Sequence, residues 1–392
     1  MTNFFQKAKI LIYTALLLFP FYMQAQITPG ADQLSKYLPL LAQKRVGLIV
    51  NQTSVVGKTH LLDTLLALKV DVKKVFAPEH GFRGDFSAGA TVKDAKDIKT
   101  GLPIISLYGK NKKPSKEMLA DIDILIFDIQ DVGVRFYTYI STMHYAMEAC
   151  AEQKKTLLIL DRPNPNGFYI DGPILEKEFT SFVGMHPIPL VHGLTVGELA
   201  QMINGEKWLD KGKKCNIKII PVANYTHNNL YKLPVAPSPN LPTMESVYLY
   251  PSLGLFEGTD VSVGRGTDYP FEIIGRPDFI AGNYDFTPRS IPGKAEDPPH
   301  KDKACKGFKL TNFADEHIVL SRQVYLYWLE GFYKASENKE KFFTPFFDKL
   351  AGTDKLRKAL QEGKTPDQIR ASWQPSLENY KKMRAKYLLY KD

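Results

Sequence analysis

The chain alternates short, almost entirely apolar runs with segments of helical leucine spacing, and this alternation limits its possible folds more than any other feature. A strand that is apolar at nearly every position has both faces buried, as in a parallel sheet covered by helices on each side. The alternation therefore predicts an α/β fold with a Rossmann-like, doubly wound parallel sheet. The apolar runs are KRVGLIV, VDVKKVFA, LPIISLYG, DILIFD and KTLLIL, and they lie between residues 44 and 160.

Four of these runs end in polar or charged side chains. The carboxyl ends of parallel strands meet at one edge of the sheet, where open α/β proteins bind their ligands. We therefore expect a functional cleft at this edge, although a single such loop would equally fit a structural ion pair. The side chains are Asn51 and Gln52, Glu79 and His80, the group Asp128, Gln130 and Asp131, and the group Asp161, Arg162 and Asn164.

The loop after the first run argues against the commonest ligand of this fold. It reads NQTSVVGK and has neither the GxGxxG run that admits a pyrophosphate nor a Walker A lysine motif. The glycine-rich segment GRGTDYP near residue 265 lacks the strand–turn–helix setting that such a motif requires. We therefore predict that the protein binds no cofactor.

The first 25 residues have the pattern of a secretory signal peptide. Lys7 and Lys9 precede the apolar run ILIYTALLLFPFYM, and Ala25 closes a small-residue cleavage site. The run is too short and too interrupted by proline to span a membrane. We expect a periplasmic or secreted protein without a membrane anchor. Its predicted parts are a Rossmann-like catalytic domain at 26–205 and a smaller, mixed α/β auxiliary domain at 206–392 that contributes loops to the cleft.

The net charge and the cysteine content exclude further classes of protein. The formal net charge is +9 over 392 residues, and the lysines are scattered, so we predict no nucleic-acid binding. Cys150, Cys215 and Cys305 are widely spaced and odd in number, which fits neither a disulfide scaffold nor a metal site. The sequence has no GxSxG elbow of a serine hydrolase and no HExxH motif of a zinc enzyme.

The expected cleft is rich in carboxylates and aromatic rings. Glu79, Asp128, Asp131 and Glu257 supply the carboxylates. Two carboxyl groups beside aromatic side chains suit glycoside hydrolysis, in which one of them protonates the leaving oxygen. The same groups could hold a divalent cation for ester hydrolysis. Residue types and spacing leave both chemistries open.

Several long motifs resemble those of the NamZ-type exo-β-N-acetylmuramidases, and they extend over nearly the whole chain from about residue 36 to 390. The resemblance implies a Rossmann-like catalytic domain with a smaller C-terminal domain. It also implies release of N-acetylmuramic acid from the non-reducing end of peptidoglycan fragments during cell-wall turnover. The motifs are APEHGFRG, FDIQDVGVRFYTY, LDRPNPNGF, PSPNLPT, FEGTDVSVGRGTDYPFE and RAKYLLY.

Carried onto this sequence, the resemblance makes Glu79 the catalytic acid, with His80 orienting or sharing its proton. The first choice for the partner carboxylate is Asp128, with Asp131 or Glu257 as alternatives. The 2-acetamido group of the substrate can also replace a protein nucleophile.

Muramic acid differs from glucosamine by a lactyl ether that carries a carboxylate, and an arginine binds a carboxylate through two hydrogen bonds. Arg265 is our first choice for this role and Arg83 the second. For Arg162 a structural pairing with Asp161 is at least as good an interpretation, and Arg135 could simply neutralise Asp131. The full set of expected substrate-binding residues is Asn51, Arg83, Gln130, Asp131, Arg135, Tyr137, Asn164, Glu257 and Arg265.

A second class of function remains open. In a non-catalytic wall-binding protein, the carboxylates would only bind sugar hydroxyl groups, on a shallow aromatic strip without a buried acid. A carboxyl pair flanking a pocket of the size of one sugar would favour the enzyme.

Overall fold

The computed structural model describes residues 26–79, 81–82, 95–109 and 111–392. The signal peptide predicted at 1–25 lies outside these residues, as do His80 and Arg83. The strands are β1 (Val46–Val50), β2 (Val55–Val56), β3 (Thr59–His60), β4 (Val72–Ala77), β5 (Ala95–Lys96), β6 (Pro103–Ser106), β7 (Ile124–Asp128), β8 (Thr156–Leu160), β9 (Asn216–Ile220), β10 (Ile273–Arg276), β11 (Tyr284–Phe286) and β12 (Cys305–Lys309). The helices are α1 (Leu34–Leu41), α2 (Leu61–Ala67), α3 (Tyr139–Glu152), α4 (Val196–Gly205), α5 (Met244–Leu253), α6 (Val319–Ser321), α7 (Tyr327–Lys334), α8 (Lys339–Phe342), α9 (Pro345–Ala351), α10 (Lys355–Gln361) and α11 (Pro366–Arg384).

A seven-stranded sheet forms the centre of the molecule, with the strand order β5-β6-β4-β1-β7-β8-β9. Every neighbouring pair is parallel except β5 and β6 at one edge, which are antiparallel. Successive parallel strands that are not neighbours require crossover connections, which place helices on the faces of the sheet. This confirms the predicted Rossmann-like α/β fold.

The central strands are buried on both faces, as their apolar sequences predict. All five residues of β1 and all five of β7 are buried. Because side chains alternate along a strand, Leu125 and Phe127 contribute to the larger hydrophobic core, whereas Ile124 and Ile126 contribute to a smaller core on the other face. The larger core continues without interruption into the C-terminal half of the chain and includes Phe347 of α9.

Local sequence signals set the ends of several helices. The Thr195 hydroxyl accepts a hydrogen bond from the backbone of Glu198, and Glu198 binds the backbone of Thr195 in return, so α4 begins with the predicted capping box. Thr243 and Thr365 start α5 and α11 in the same way.

The second half of the chain adds a small antiparallel sheet, β10-β12-β11, and the helices α5 to α11. The run NIKII lies at 216–220, within the predicted C-terminal domain, yet it forms β9 and pairs with β8. The central sheet therefore extends beyond residue 205. In the described part of the chain, no helix has both the length and the apolar character that crossing a membrane requires.

Residues near position 390 form hydrogen bonds with buried acidic side chains beside the central sheet. The Tyr390 hydroxyl donates to Asp161 Oδ2 at 2.6 Å, directly after β8. The Leu389 backbone N–H donates to Glu198 Oε1 at 2.9 Å, and His227 Nε2 lies 2.9 Å from Glu198 Oε2. Asp161 and Glu198 are fully buried, so these bonds satisfy acceptors that water cannot reach.

Candidate active site

The ends of β4, β1, β7 and β8 lie side by side, because these strands are neighbours in the sheet. The side chains that follow them nevertheless point to different places. Glu79 lines a cavity, whereas Asn51, Asp128 and Asp161 are fully buried. The expected cleft is present, but only part of the predicted set of residues reaches it.

The cavity has a volume of about 230 Å³ and takes its walls from both halves of the chain. Most of its lining side chains are aromatic or aliphatic, with a few charged and polar groups among them. The lining residues are Glu79, Tyr108, Phe136, Tyr137, Thr138, Tyr139, Phe182, Val183, Ser238, Asn240, Leu241, Tyr250, Glu257, Arg265, Phe271, Phe346 and Leu350.

Glu79 follows β4 and leaves the strand at a tight turn. Pro78 has no N–H to continue the ladder, and Gly81, with φ of 80°, closes the turn by donating to the Pro78 carbonyl at 3.0 Å. The half-buried Glu79 side chain accepts a hydrogen bond from the Thr138 hydroxyl at Oε2, 2.6 Å away. The Tyr139 hydroxyl donates to the Glu79 backbone carbonyl at 3.4 Å. The turn and these bonds hold the carboxyl in the cavity wall.

Tyr108 approaches Glu79 from another side of the cavity. Burial and the charge of the Glu79 carboxylate raise the pKa of Tyr108, so this phenol keeps its proton and acts as a hydrogen-bond donor to Glu79. The hydroxyl groups of Tyr108 and Thr138 therefore orient the Glu79 carboxyl.

Aromatic rings form the wall between the two halves of the chain. Tyr137 and Tyr139 meet edge to face with ring centroids 4.9 Å apart, and Tyr250 meets Phe271 at the same distance. Phe136 completes the group at 5.1 Å from Tyr250. Aromatic faces of this kind pack against the apolar C–H groups of a sugar ring, while the phenol hydroxyls remain available for hydrogen bonds.

Arg265 and Glu257 bring the second charged pair to the cavity. Gly264 and Gly266, with φ of 79° and 80°, shape the loop that carries Arg265. Arg265 Nε donates to Glu257 Oε1 at 2.7 Å, and the guanidinium lies over the Phe271 ring at 5.0 Å. Burial alone would lower the pKa of Arg265, but the Glu257 carboxylate raises it, so the guanidinium remains charged.

The structure contradicts the expectation that Asp128 lines the cavity with Glu79. Asp128 is the last residue of β7, and its side chain projects to the same face as Ile124 and Ile126, towards the smaller core. There it is fully buried, and Arg162 binds both of its oxygens, at 2.6 and 2.9 Å. The predicted pairing of Arg162 with Asp161 is also wrong for the side chains. We therefore withdraw Asp128 as the partner carboxylate.

Arg135 has a structural environment as well and does not neutralise Asp131. It is fully buried, and its guanidinium donates to backbone carbonyls from two distant parts of the chain. Because burial is not offset by any carboxylate, the pKa of Arg135 falls to about 9. Its acceptors are the carbonyls of Pro173 at 2.6 Å, Ile188 at 2.8 Å, Leu350 at 3.1 Å and Ala351 at 2.6 Å.

Four further predicted residues shape the loops behind the cavity instead of lining it. Asp131 Oδ2 accepts from the Gly133 N–H at 2.7 Å, and burial raises the pKa of Asp131 to about 7. The other three bind loop atoms: Asn51 Oδ1 accepts from Thr53, Gln130 Nε2 donates to the carbonyls of Asp131 and Pro163, and Asn164 Nδ2 donates to the Leu194 carbonyl.

Among the predicted residues, the cavity brings together Glu79, Tyr137, Glu257 and Arg265. Sequence reasoning assigned no role to Tyr108, Thr138, Tyr250 or Phe346. Thr138 lies within the motif FDIQDVGVRFYTY, which was a usable signal for it, whereas Tyr250 lies seven residues after PSPNLPT and outside the motifs. Tyr108 and Phe346 lie outside the motifs. Within the described ranges, no group of three His, Cys, Asp or Glu residues is arranged to hold a metal ion.

A carboxylate in the wall of an aromatic-lined cavity, on a Rossmann-like sheet, is the arrangement of a carbohydrate-active protein of the glycoside hydrolase class. Residues 46–245 match the family described as the N-terminal part of exo-β-N-acetylmuramidase NamZ, and residues 248–390 match its C-terminal part. The chain belongs to the NamZ family.

The similarity to known proteins extends over almost the whole chain. The peptidoglycan β-N-acetylmuramidase NamZ of Bacillus subtilis (strain 168) is 42% identical over 385 residues, which covers 93% of this chain and 92% of that protein. A crystal structure of a DUF1343 family protein from Bacteroides fragilis is 49% identical, with a TM-score of 0.88, and covers 94% of this chain and 100% of its own. A second B. fragilis structure of that family is 32% identical, with a TM-score of 0.76, and covers 93% and 99%.

Proposed function

We propose that this protein is an exo-acting β-N-acetylmuramidase that releases N-acetylmuramic acid from the non-reducing end of peptidoglycan fragments. The observation that carries the proposal is the cavity in which Glu79 and Arg265 face a space of about 230 Å³. This is less than the roughly 300–1,000 Å³ of sites for drug-sized ligands, so it suits one saccharide residue and not a glycan chain. Two carboxylates, Glu79 and Glu257, line this pocket, which favours an enzyme over a wall-binding protein.

Glu79 acts as the general acid. The Thr138 hydroxyl, 2.6 Å from Oε2, fixes the orientation of the carboxyl group. A carboxylic acid in this position protonates the glycosidic oxygen as the bond to the anomeric carbon breaks. Glu79 supports this role because it reaches the cavity, which Asp128 does not.

The substrate itself supplies the attacking group. Glu257 is the second carboxylate in the lining of the cavity, but Arg265 holds it at 2.7 Å. A carboxylate held in an ion pair is a weak nucleophile. The 2-acetamido group of N-acetylmuramic acid can attack the anomeric carbon instead, as in other substrate-assisted hexosaminidases. Glu257 then keeps Arg265 in place.

Arg265 recognises the lactyl group that distinguishes muramic acid from glucosamine. Glu257 occupies only its Nε–H. In the described part of the chain, the terminal nitrogens of Arg265 have no hydrogen-bond partner, and Arg265 itself lines the cavity. The outer edge of the guanidinium is therefore available to bind both oxygens of a carboxylate.

We also propose that the enzyme acts outside the cytoplasm, in cell-wall turnover. The signal-peptide pattern at 1–25 supports export. Peptidoglycan fragments are encountered in that compartment.

Hydrolysis of a chromogenic β-glycoside of N-acetylmuramic acid tests the proposed function, with the N-acetylglucosamine counterpart as control. We expect release of the chromophore from the first compound and little from the second. Hydrolysis of neither compound, by a folded protein, would refute the proposal. Equal hydrolysis of both would refute the role of Arg265 and leave the hexosaminidase activity.

A further inference from the structure

Phe346 is an exposed aromatic side chain at the cavity. It lines the cavity, yet 40% of its surface remains exposed. Two nearby phenylalanines on the same segment, Phe343 and Phe347, pack against each other, with ring centroids 4.5 Å apart. Phe346 contacts no other aromatic ring among the described residues. An apolar ring left in water at the opening of a binding cavity is available to a ligand.

The position of Phe346 is fixed by its helix. Thr344 caps α9 by accepting a hydrogen bond from the Phe346 N–H at 3.3 Å. Phe347 is fully buried and Leu350 nearly so. Arg135, from the first half of the chain, donates to the Leu350 carbonyl at 3.1 Å. Because α9 is held at both ends, the ring of Phe346 sits on a rigid support.

The proposed function implies which part of the substrate lies at the opening of the cavity. The cavity holds one saccharide residue, so the sugar on the other side of the bond to be cleaved must lie outside it. Sugars present an apolar C–H face that packs on an aromatic ring. We propose that Phe346 is the platform for the leaving-group saccharide, which is N-acetylglucosamine in a muramyl disaccharide. This inference rests on the proposed function.

The test compares two substrates that share the sugar in the cavity. One is the disaccharide N-acetylmuramyl-β-1,4-N-acetylglucosamine, and the other is methyl β-N-acetylmuramide, whose leaving group is too small to reach the ring. For Phe346→Ala, we expect the loss of kcat/KM on the disaccharide to exceed the loss on the methyl glycoside by about tenfold. Phe346→Trp keeps a platform and should restore the disaccharide rate.

Tyr327→Ala is the matched control. Tyr327 is also an exposed aromatic residue on a helix, with 42% exposure, but it does not line the cavity. It should change neither kcat/KM. Equal losses of Phe346→Ala on both substrates, or no loss on either, would overturn the platform while leaving the proposed function intact. If the wild-type protein cleaves neither substrate, the proposed function fails and the platform fails with it.

Discussion

Hydrogen bonds and ion pairs within the protein hold the functional side chains of this cavity in place before a substrate binds. Glu79 receives a hydrogen bond from Thr138, so its orientation is set before a substrate arrives. Arg265 uses one edge for Glu257 and keeps the other edge for a ligand. Such preorganisation lowers the cost of arranging groups at the moment of reaction.

Replacing Glu79 by glutamine should stop proton delivery. The amide can still accept a hydrogen bond from Thr138, so the fold should be retained. Loss of a general acid costs about 10²–10⁴-fold in rate. We expect kcat on the disaccharide to fall by this amount, and less on an aryl glycoside, whose leaving group needs little protonation. Glu245→Gln, in a neighbouring groove, is the control. An unchanged rate for Glu79→Gln on the disaccharide would exclude Glu79 as the acid.

Replacing Arg265 by methionine should reduce the discrimination between the two sugars. We expect binding of the muramic substrate to weaken by about 1.5–3 kcal/mol, the value of a hydrogen bond to a charged group, and any glucosaminidase activity to change little. Measured kcat/KM on both sugars gives the comparison.

Two variants serve as controls for this test. Arg265→Met combined with Glu257→Gln removes the carboxylate left without a partner, and it should show the same change in selectivity. Arg322→Met removes an exposed arginine outside the cavity and should have no effect. Equal losses of Arg265→Met on both sugars would assign Arg265 a structural role.

The sequence predicted which strand ends converge, but not where each side chain projects. Asp128 follows a strongly apolar run, and its direction depends on the residue at which β7 ends. One residue more or less would turn it to the other face. Arg135 lies four residues after Asp131, which suggested an ion pair. Its actual acceptors include Leu350, 215 residues further along the chain, and no local pattern reveals such a partner.

Among the elements, α9 connects the C-terminal half of the chain to the active site. It places Phe346 and Leu350 in the cavity lining, and Gly352, with φ of 74°, ends it. The Arg135 guanidinium lies against this end of the helix, since a Cβ on Gly352 would come within 2.5 Å of Arg135 Nη2. Any larger residue at position 352 would clash with Arg135, so only glycine fits there.

Arg135→Met should therefore destabilise the protein strongly. The substitution leaves the buried carbonyls of Pro173, Leu350 and Ala351 without a donor, and each unsatisfied group costs about 1–3 kcal/mol. We expect the free energy of unfolding to fall by about 3 kcal/mol or more, as measured by urea denaturation. Arg45→Met, which removes a half-exposed pair with Asp123, should cost much less, because an ion pair open to water adds little stability. Similar losses for the two variants would contradict the role given to Arg135.

Local sequence signals predicted the start of some helices correctly, but they also predicted one helix that does not form. The capping box at Thr195 marked the start of α4 correctly. The sequence SKEMLADI, with Ser115 as a cap, predicts a short helix, yet residues 116–121 form only turns. Ser115 Oγ does accept from the Met118 N–H at 3.2 Å, so the cap is made. The segment ends before it can add the hydrogen bonds that follow nucleation, because β7 begins at Ile124.

The molecule as a whole contains buried ionisable groups that make its stability depend on pH. Burial lowers the pKa of His192 from 6.5 to about 3, and it raises the pKa of Asp131 from 3.8 to about 7. Between pH 3 and 6.5 the unfolded state binds the proton of His192 more readily, so His192 makes the fold less stable as the pH falls. Asp131 has the opposite effect: the unfolded state loses its proton first, so stability declines as the pH rises from about 4 to 7.

Asp131 Oδ2 lies 3.9 Å from His192 Nε2, so each substitution also changes the surroundings of the other group. In urea denaturation at pH 5.0 and 7.5, the two variants should nevertheless differ from wild type in opposite senses. His192→Asn keeps an acceptor for the Leu194 N–H, which binds Nδ1 at 3.2 Å, and should be more stable relative to wild type at pH 5.0 than at pH 7.5. Asp131→Asn keeps an acceptor for Gly133 and should gain relative to wild type as the pH rises. Parallel pH profiles of wild type and either variant would show that the group does not titrate in this way.

The architecture was more predictable than the site because it follows from a repeated pattern. Several apolar runs separated by helices allow few arrangements, and any one run could be misread without changing the result. The cavity depends on single contacts between distant segments, such as Arg135 with the carbonyls of Leu350 and Ala351. These contacts leave no periodic trace in the sequence.

The hydrogen bond between Tyr390 and Asp161 also limits when the protein can finish folding. It joins residues 229 positions apart, so it cannot form until the segment that contains Tyr390 has been synthesised. Until then Asp161 and Glu198 lack partners that they have in the native state. Contacts of such long sequence separation carry a large loop-closure entropy and form late. A nascent chain should therefore remain incompletely closed at this edge until the segment that contains Tyr390 has been synthesised.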